Sequence, residues 1–535
     1  MFSPTLVHEY LSRSASRFPD KIALVCGEER WTYRALDQYS DYLAHVLGEI
    51  GVHKGDRVIV FLDNSSETVI SLYGILKAGA VFVILNSAIK SRKLKYILRD
   101  SGARLLITHT RKARTVIEAE EALSENTHII WVGNPSDIPK RQSARSLSWN
   151  SIFQNFDPAS DLAENGKGDS MRASLIDLDI AALIYTSGSS GEPKGVISGH
   201  CNMVAAARSI IQYLENISDD IVLNVLPLSF DYGLYQVIMA FMFSGTVVME
   251  KSFLYPVKFL ECIEKERVTG LPIVPTMAAM LLKMGNLDAY DLRSLRYISN
   301  TAAALPVEHI RKIKDLFPHA RLFSMYGLTE CKRVSYLPPE ELDRRASSVG
   351  KAMPNCEISV VDGEGKEVAP GEVGELVIRG ANVMQGYWNA PELTARTFRQ
   401  GRRPGETLLY SGDYFKKDSD GFLYFIGRKD DMIKTRGERV SAREVENVLC
   451  EMDGIAEAAV LGVPDDILGQ VIKAFVVPGQ KRSLAEQDVR RYCMRCLEPF
   501  MVPKYLVIVE ELPKTPHGKV DKKSLEKWTN KMESP

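Results

Sequence analysis

Between residues 56 and 108 the chain alternates short, nearly unbroken apolar runs with stretches whose apolar positions recur at helical spacing. Residues 56–62 read as a buried strand, 66–78 as a helix and 79–85 as a second strand; a helix then runs to 101, and 103–108 form a third strand. Runs without polar alternation suit strands covered on both faces. Strands separated by helices are joined by crossovers rather than hairpins, so the pattern predicts a layered α/β body with largely parallel sheets. The polar tract 136–170, rich in Ser, Asp and Asn, is expected to be a surface excursion before the next core strand at 180–184.

After about residue 345 the texture changes. From 358 to 425 short strands are separated by turn dipeptides such as Asp362-Gly363 and Pro370-Gly371, which suggests an antiparallel β unit over about 346–429 appended to the body. The remainder reads as a smaller α+β unit, with helices at 443–452 and 484–496 and a strand at 458–463. The expected fold is therefore α/β: a large N-terminal body over 1–429 and a small C-terminal domain over 430–535.

Composition narrows the function. Apolar residues make up 45% and charged residues 25% of the 535, and 67 Lys and Arg against 68 Asp and Glu give a net charge of −1. That balance leaves no basic footprint for nucleic acid, and no apolar run approaches the roughly 18 residues of a membrane span. The most apolar stretch, 68–85, is interrupted by Lys77 and glycines, and residues 1–21 mix His8, Glu9, Arg13, Arg17 and Asp20 with their apolar residues, unlike a signal peptide. Eight scattered cysteines suit a reducing cytoplasm; Cys493 and Cys496 read as buried helix residues rather than a metal or redox pair.

The strongest chemical signal is Tyr185-Thr186-Ser187-Gly188-Ser189-Ser190-Gly191-Glu192-Pro193-Lys194-Gly195-Val196, directly after an apolar strand. Glycines, hydroxyls and a lysine together suit a flexible loop around a polyphosphate, with N–H and O–H groups donating to phosphate oxygens. It is not a Walker A loop, because Lys194 lies between Pro193 and Gly195 instead of before Ser or Thr. Four further motifs follow: Tyr326-Gly327-Leu328-Thr329-Glu330, Tyr410-Ser411-Gly412-Asp413, Gly427-Arg428-Lys429-Asp430-Asp431-Met432-Ile433-Lys434, and Pro513-Lys514-Thr515-Pro516-His517-Gly518-Lys519. In this order, over nearly the whole chain, they resemble the AMP-forming adenylating enzymes: acyl-CoA synthetases, peptide-synthetase adenylation domains and luciferases.

That resemblance implies a two-step reaction. ATP converts a carboxylate, itself a poor electrophile, into an acyl-adenylate with release of pyrophosphate, and a thiol of CoA or of carrier-protein phosphopantetheine then takes the acyl group. By the same resemblance, Thr186, Ser187, Gly188, Ser189, Ser190, Gly191 and Lys194 orient the β- and γ-phosphates. Thr329 touches the α-phosphate, and Glu330 holds Mg²⁺. Tyr326 and Gly327 lie near adenine, although an aromatic before a glycine turn could equally be core packing; Phe425 joins them in the nucleotide pocket. Asp413 receives the ribose hydroxyls and Arg428 supports ribose and phosphate. Lys519 bridges the attacking carboxylate and the α-phosphate. Asp430 is the hinge of a mobile C-terminal domain, and its rotation brings Arg436 and Gly437 to the thiol tunnel.

One departure stands out: the family's paired glycines are replaced here by Thr301-Ala302-Ala303-Ala304. Ala302, Ala303 and Ala304 add side-chain volume where the backbone would approach adenine. By position, Asp231, Tyr232, Tyr235, Ile298, Asn300 and Met325 line the acid pocket, and the two tyrosines suggest a short or medium acid. In the amino-acid-activating branch an aspartate at this place binds the substrate's α-ammonium. Read from residue type, Asp231 is instead expected to cap the following helix, with Asp231→Asn near-neutral and a preference for acids lacking an α-amino group. Leu328 resembles the acyl-CoA branch, and with no carrier domain following, the chain is expected to be a stand-alone ligase. An amino-acid adenylation enzyme loading a peptidyl carrier protein is the alternative. A P-loop NTPase would explain only the first motif. A catalytically dead binding module fits poorly with retained Lys194, Glu330, Asp413 and Lys519.

Overall fold

A computed structural model describes residues 3–123, 127–139, 145–154, 156–158, 175–187, 193–251, 253, 256–284, 287–301, 305–429, 432–435, 438–465, 469–479, 484–497, 499–515 and 519–532. The alternation read near the N-terminus becomes Arg57–Phe61, Ser66–Lys77, Val81–Ile84, Ser91–Ser101 and Leu105–His109. Each strand there is buried along most of its length, and the three pair in parallel. Ser65 accepts a hydrogen bond from Thr68 N–H and so starts the Ser66–Lys77 helix. That helix ends on Lys77, whose fully buried ammonium meets Asp37 Oδ1 at 2.6 Å and Asp41 Oδ1 at 3.1 Å on the neighbouring helix Tyr33–Glu49.

Among the described residues the strands form four sheets. One has nine strands and contains the parallel run Ile221–Asn224, Gly270–Ile273, Tyr297–Asn300 and Arg321–Tyr326. A second, with eight strands, contains the parallel N-terminal strands and the hairpin Ile180–Ser187 and Pro193–Gly199. Large apolar clusters cover both of these sheets. The third sheet is antiparallel, built from Cys356–Val361, Val373–Gly380, Phe398–Gln400, Thr407–Lys417 and Leu423–Arg428. A fourth, over Met432–Thr435 to Tyr505–Ile508, packs with Ala442–Glu451, Glu486–Cys496 and Lys522–Met532 around apolar clusters of its own. The layered α/β body, appended β unit and small α+β unit are thus all present. Residues 430 and 431, where the sequence puts the boundary, lie outside the described residues. Among those residues no helix is long and apolar enough to cross a membrane.

Three expectations need correction. The tract 136–170 is not only an excursion: Arg145–Ser148 pairs in parallel with His128–Val132 as an edge strand, and Trp149–Phe153 is a short helix. An edge strand exposes one side to water, so its polar residues hide it from an apolar pattern. The segment after residue 184 is less of a loop than expected, because the strand continues to Ser187 and pairs Thr186 with Lys194 and Ser187 with Pro193. Cys493 is buried in its helix, but Cys496 is exposed.

The third sheet is anchored to the body at Gly350. Its carbonyl accepts from Leu423 N–H at 2.8 Å while Val349 N–H donates to Leu423 O at 2.9 Å. Gly350 has φ +84°, and a Cβ there would lie 1.7 Å from Tyr336 O. Gly350→Ala is therefore expected to lower stability by at least about 2 kcal/mol, read as a shift of the denaturant midpoint; a midpoint like the wild type's would show that the junction relaxes freely.

Candidate active site

Thr186, Asn300 and Tyr326 each lie at or next to the carboxyl end of a strand in the two large sheets, the edge at which open α/β sheets receive ligands. Lys194 is held there from several sides. Its strand pairs with Gly386–Tyr387, Trp388 N–H donates to Gly195 O at 2.7 Å, and Trp388 Nε1 donates to Asp100 O at 2.9 Å. The Lys194 ammonium lies 5.9 Å from the Tyr387 ring centre, and the Tyr387 hydroxyl donates to Glu330 Oε1 at 2.6 Å. Burial and Glu330 both push the Tyr387 phenol far above its ordinary range, so it stays a donor.

The antiparallel register sets Asp413 opposite Arg428. Asp413 Oδ2 accepts from Tyr326 Oη at 2.5 Å, and Oδ1 faces Arg428 Nε at 3.1 Å without a well-formed hydrogen bond. Burial raises the Asp413 carboxyl, while Arg428 and the Tyr326 hydroxyl oppose the rise. Tyr326 is held edge-on by Phe415 at 4.9 Å, with Phe425 at 6.3 Å. Gly327 permits the chain's close approach beside it, since a Cβ would lie 2.3 Å from Lys332 O. Thr329 and Glu330 are half-buried in the same turn.

The acid-pocket candidates also come together. Asp231, Tyr232 and Tyr235 lie on the buried helix Asp231–Phe243, Ile298 and Asn300 on Tyr297–Asn300, and Met325 on Arg321–Tyr326. Tyr232 Oη donates to Ser299 O at 2.7 Å, and Met325 Sδ accepts from Tyr213 Oη at 2.9 Å. The capping role expected for Asp231 is wrong. Phe230 is the N-cap, with no side-chain cap bond, and Asp231 is the first helical residue. Its Oδ2 instead meets Lys332 Nζ at 3.4 Å. A near-neutral Asp231→Asn is therefore no longer expected, because that change strands a buried ammonium.

Lys332 and its neighbour Arg333 are the residues that sequence reasoning missed, together with Tyr387. Two cations directly after Glu330-Cys331 were the available signal, although consecutive basic residues are ordinarily solvated. Here Lys332 is 2% and Arg333 3% exposed. The Lys332 ammonium lies 4.3 Å from the Tyr235 ring centre, and Arg333 Nη1 donates to Thr301 Oγ1 at 2.6 Å. Lys332 also adopts φ +66°, a left-handed conformation that L residues seldom take.

Lys519 reaches this cleft from the small unit. A tight turn holds it, with Thr515 N–H donating to Lys519 O at 2.7 Å and residues 514 and 520 bridged. The residue as a whole is solvent-exposed. Desolvation lowers its pKa; Asp231 pulls the other way, Arg428 adds to the lowering and Asp413 opposes it. One lysine thus senses both the acid-pocket carboxylate and the Asp413–Arg428 pair. Gly188, Ser189, Ser190, Gly191, Ala302, Ala303, Ala304, Asp430, Arg436 and Gly437 lie outside the described residues, as does the side chain of Ser187. Among the described residues no cluster of three or more His, Cys, Asp or Glu could cage a metal. Glu330 beside the phosphate-loop lysine fits Mg²⁺ carried on nucleotide phosphates, which needs only one or two carboxylates.

Comparison with known proteins matches residues 11–388 to the AMP-binding enzyme family and 444–519 to the AMP-binding enzyme C-terminal domain. The chain is 32% identical to a long-chain-fatty-acid–CoA ligase of Bacillus subtilis, over 96% of this chain and 93% of that protein. It is 30% identical to an indoleacetate–CoA ligase of Aromatoleum aromaticum, over 96% of each. The crystal structure of an anthranilate CoA ligase in complex with anthranoyl-AMP superposes with a TM-score of 0.86 at 27% identity, over 98% of both chains.

Burial lowers the Lys332 pKa to about 7, against the pull of Asp231 and with a further push from Arg333. Between pH 7 and the ordinary lysine range the unfolded chain binds more protons than the native one, so stability rises with pH; below pH 7 the full penalty is present. Relative to Lys332→Met, the wild type is expected to gain up to about 1.4 kcal/mol per pH unit from pH 7 to 9. Denaturant unfolding at several pH values measures this, and a pH-independent difference would show that the buried amine does not titrate there.

Proposed function

The chain belongs to the AMP-binding enzyme family, and we propose from that footing how its cleft divides the work of two half-reactions. It is an AMP-forming acid–thiol ligase: it activates a carboxylic acid with ATP as an acyl-adenylate, releases pyrophosphate, and passes the acyl group to a thiol as a thioester. We take CoA as the acceptor thiol. Support comes from relatives that match nearly end to end and are CoA ligases; carrier-protein phosphopantetheine presents the same thiol.

In this reading, Lys194 and the hydroxyls of residues 186–190 hold the β- and γ-phosphates, while Thr329 meets the α-phosphate. Asp413 accepts the ribose hydroxyls, a role supported by its spare acceptor capacity on Oδ1. Tyr387 fixes the Glu330 carboxylate toward the phosphates. Mg²⁺ held by Glu330 would neutralise charge on the phosphate oxygens. The observation that supports the reading is Lys519, which stands near enough to Asp231 and to the Asp413–Arg428 pair to feel their charges, as a residue between acid and nucleotide would. There it can bridge the attacking carboxylate and the α-phosphate, matching charge that grows in the transition state. Aligning the two reactants supplies the rest of the acceleration. For the second step the unit after Asp430 rotates, withdrawing Lys519 and bringing Arg436 and Gly437 to the thiol path.

Lys519→Ala should slow adenylate formation on the order of 10²–10⁴-fold, while thioester formation from supplied acyl-adenylate persists. Separate assays of the two half-reactions test this, and equal loss in both would refute the bridging role. Asp430→Pro, which fixes φ near roughly −65°, should preserve one half-reaction and depress the other. If both steps run at wild-type rates, rotation about this residue is not required.

A further inference from the structure

The buried charges around the acyl pocket do not balance. With Lys332 protonated, as it is below about pH 7, Lys332 and Arg333 bring two cations, both under 4% exposed, and Asp231 brings one carboxylate. Asp231 is taken by Lys332 at 3.4 Å. Among the described residues no carboxylate forms an ion pair with Arg333. Its partners are neutral: Nη1 donates to Thr301 Oγ1 at 2.6 Å, the Tyr213 hydroxyl is within hydrogen-bonding reach, and the guanidinium lies 5.1 Å from the Tyr232 ring centre. Nε is buried and has no acceptor. A guanidinium cannot shed its proton as a buried lysine can, so burying it without an opposite charge is costly. A purely structural arginine in this setting would be expected to have its donors satisfied. In Arg333 the Nε–H has no acceptor, and the guanidinium lies beside Tyr232, which the ligase reading puts in the acyl pocket.

We infer that the acid this enzyme activates carries a second carboxylate at the far end of its acyl portion, and that Arg333 receives it. The inference rests on the ligase reading above and deepens it to a substrate class, the short or medium dicarboxylic acids. The planar guanidinium fork matches a carboxylate in shape as well as charge. Lys332 keeps Asp231 neutralised, so Asp231 does not compete for Arg333. Arg333, charged at every working pH, repels an α-ammonium, which disfavours amino acids.

The test is ATP–pyrophosphate exchange with pairs of acids of equal carbon number that end in methyl or in carboxylate: butanoate and succinate, hexanoate and adipate, octanoate and suberate, with leucine alongside. The wild type should show, for at least one pair, a KM at least about tenfold lower for the dicarboxylate. Arg333→Met should raise that KM on the order of 10–100-fold and leave the KM for ATP and for methyl-ended acids nearly unchanged. Arg333→Lys, a point charge without the fork, should keep part of the preference. Exchange confined to methyl-ended acids or to leucine would overturn the inference and leave the ligase reading standing, and so would an Arg333→Met effect that falls on ATP. Exchange with no acid in the panel would overturn both. The wild-type comparison needs no variant, so it decides the matter even if Arg333→Met fails to fold.

Discussion

A charge taken out of water must be met by another charge or by strong donors, and this requirement shapes the cleft. Lys77 meets it inside the N-terminal body with Asp37 and Asp41, an arrangement that fastens two helices together. Asp413 meets it with Arg428 and the Tyr326 hydroxyl, Asp231 with Lys332 and Glu330 with the Tyr387 hydroxyl. Each of these pairs joins different segments of the chain. Electrostatic compensation and tertiary assembly are therefore one problem here, and the places where compensation is incomplete are the places where substrate charge has room.

Sheet topology makes those pairs possible. Parallel strands deliver Asn300 and Tyr326 to one edge, and the hairpin carries Thr186 and Lys194 alongside. The short strand Gly386–Tyr387 then leaves the antiparallel region and adds itself to the eight-stranded sheet, bringing Tyr387 between Lys194 and Glu330. Gly350 locks the third sheet to the nine-stranded one, which fixes where Asp413 and Arg428 stand relative to Tyr326. Among the described site residues, Lys519 alone arrives from the fourth sheet's unit. A group on a separately packed unit can enter and leave without disturbing the other pairs, as two half-reactions in one cleft demand.

The five motifs, the layered α/β plan and the appended β unit were legible in the sequence. Contiguous strings carry their own chemistry, and apolar periodicity reports which backbone is covered. The hairpin's extent, the edge strand Arg145–Ser148 and the exposure of Cys496 were not, because strand pairing at an edge and burial at a helix end depend on neighbours far along the chain. Asp231 makes the same point at the site. Residue type favoured a helix cap, and local propensity alone gives that answer, but Lys332 reaches the carboxylate across the fold. By itself, then, the sequence determined the family and the motifs that carry its chemistry. Tertiary structure alone decided which buried charges are answered and which are left for the substrate, because the cost of a buried charge is set by what lies within a few ångströms in space.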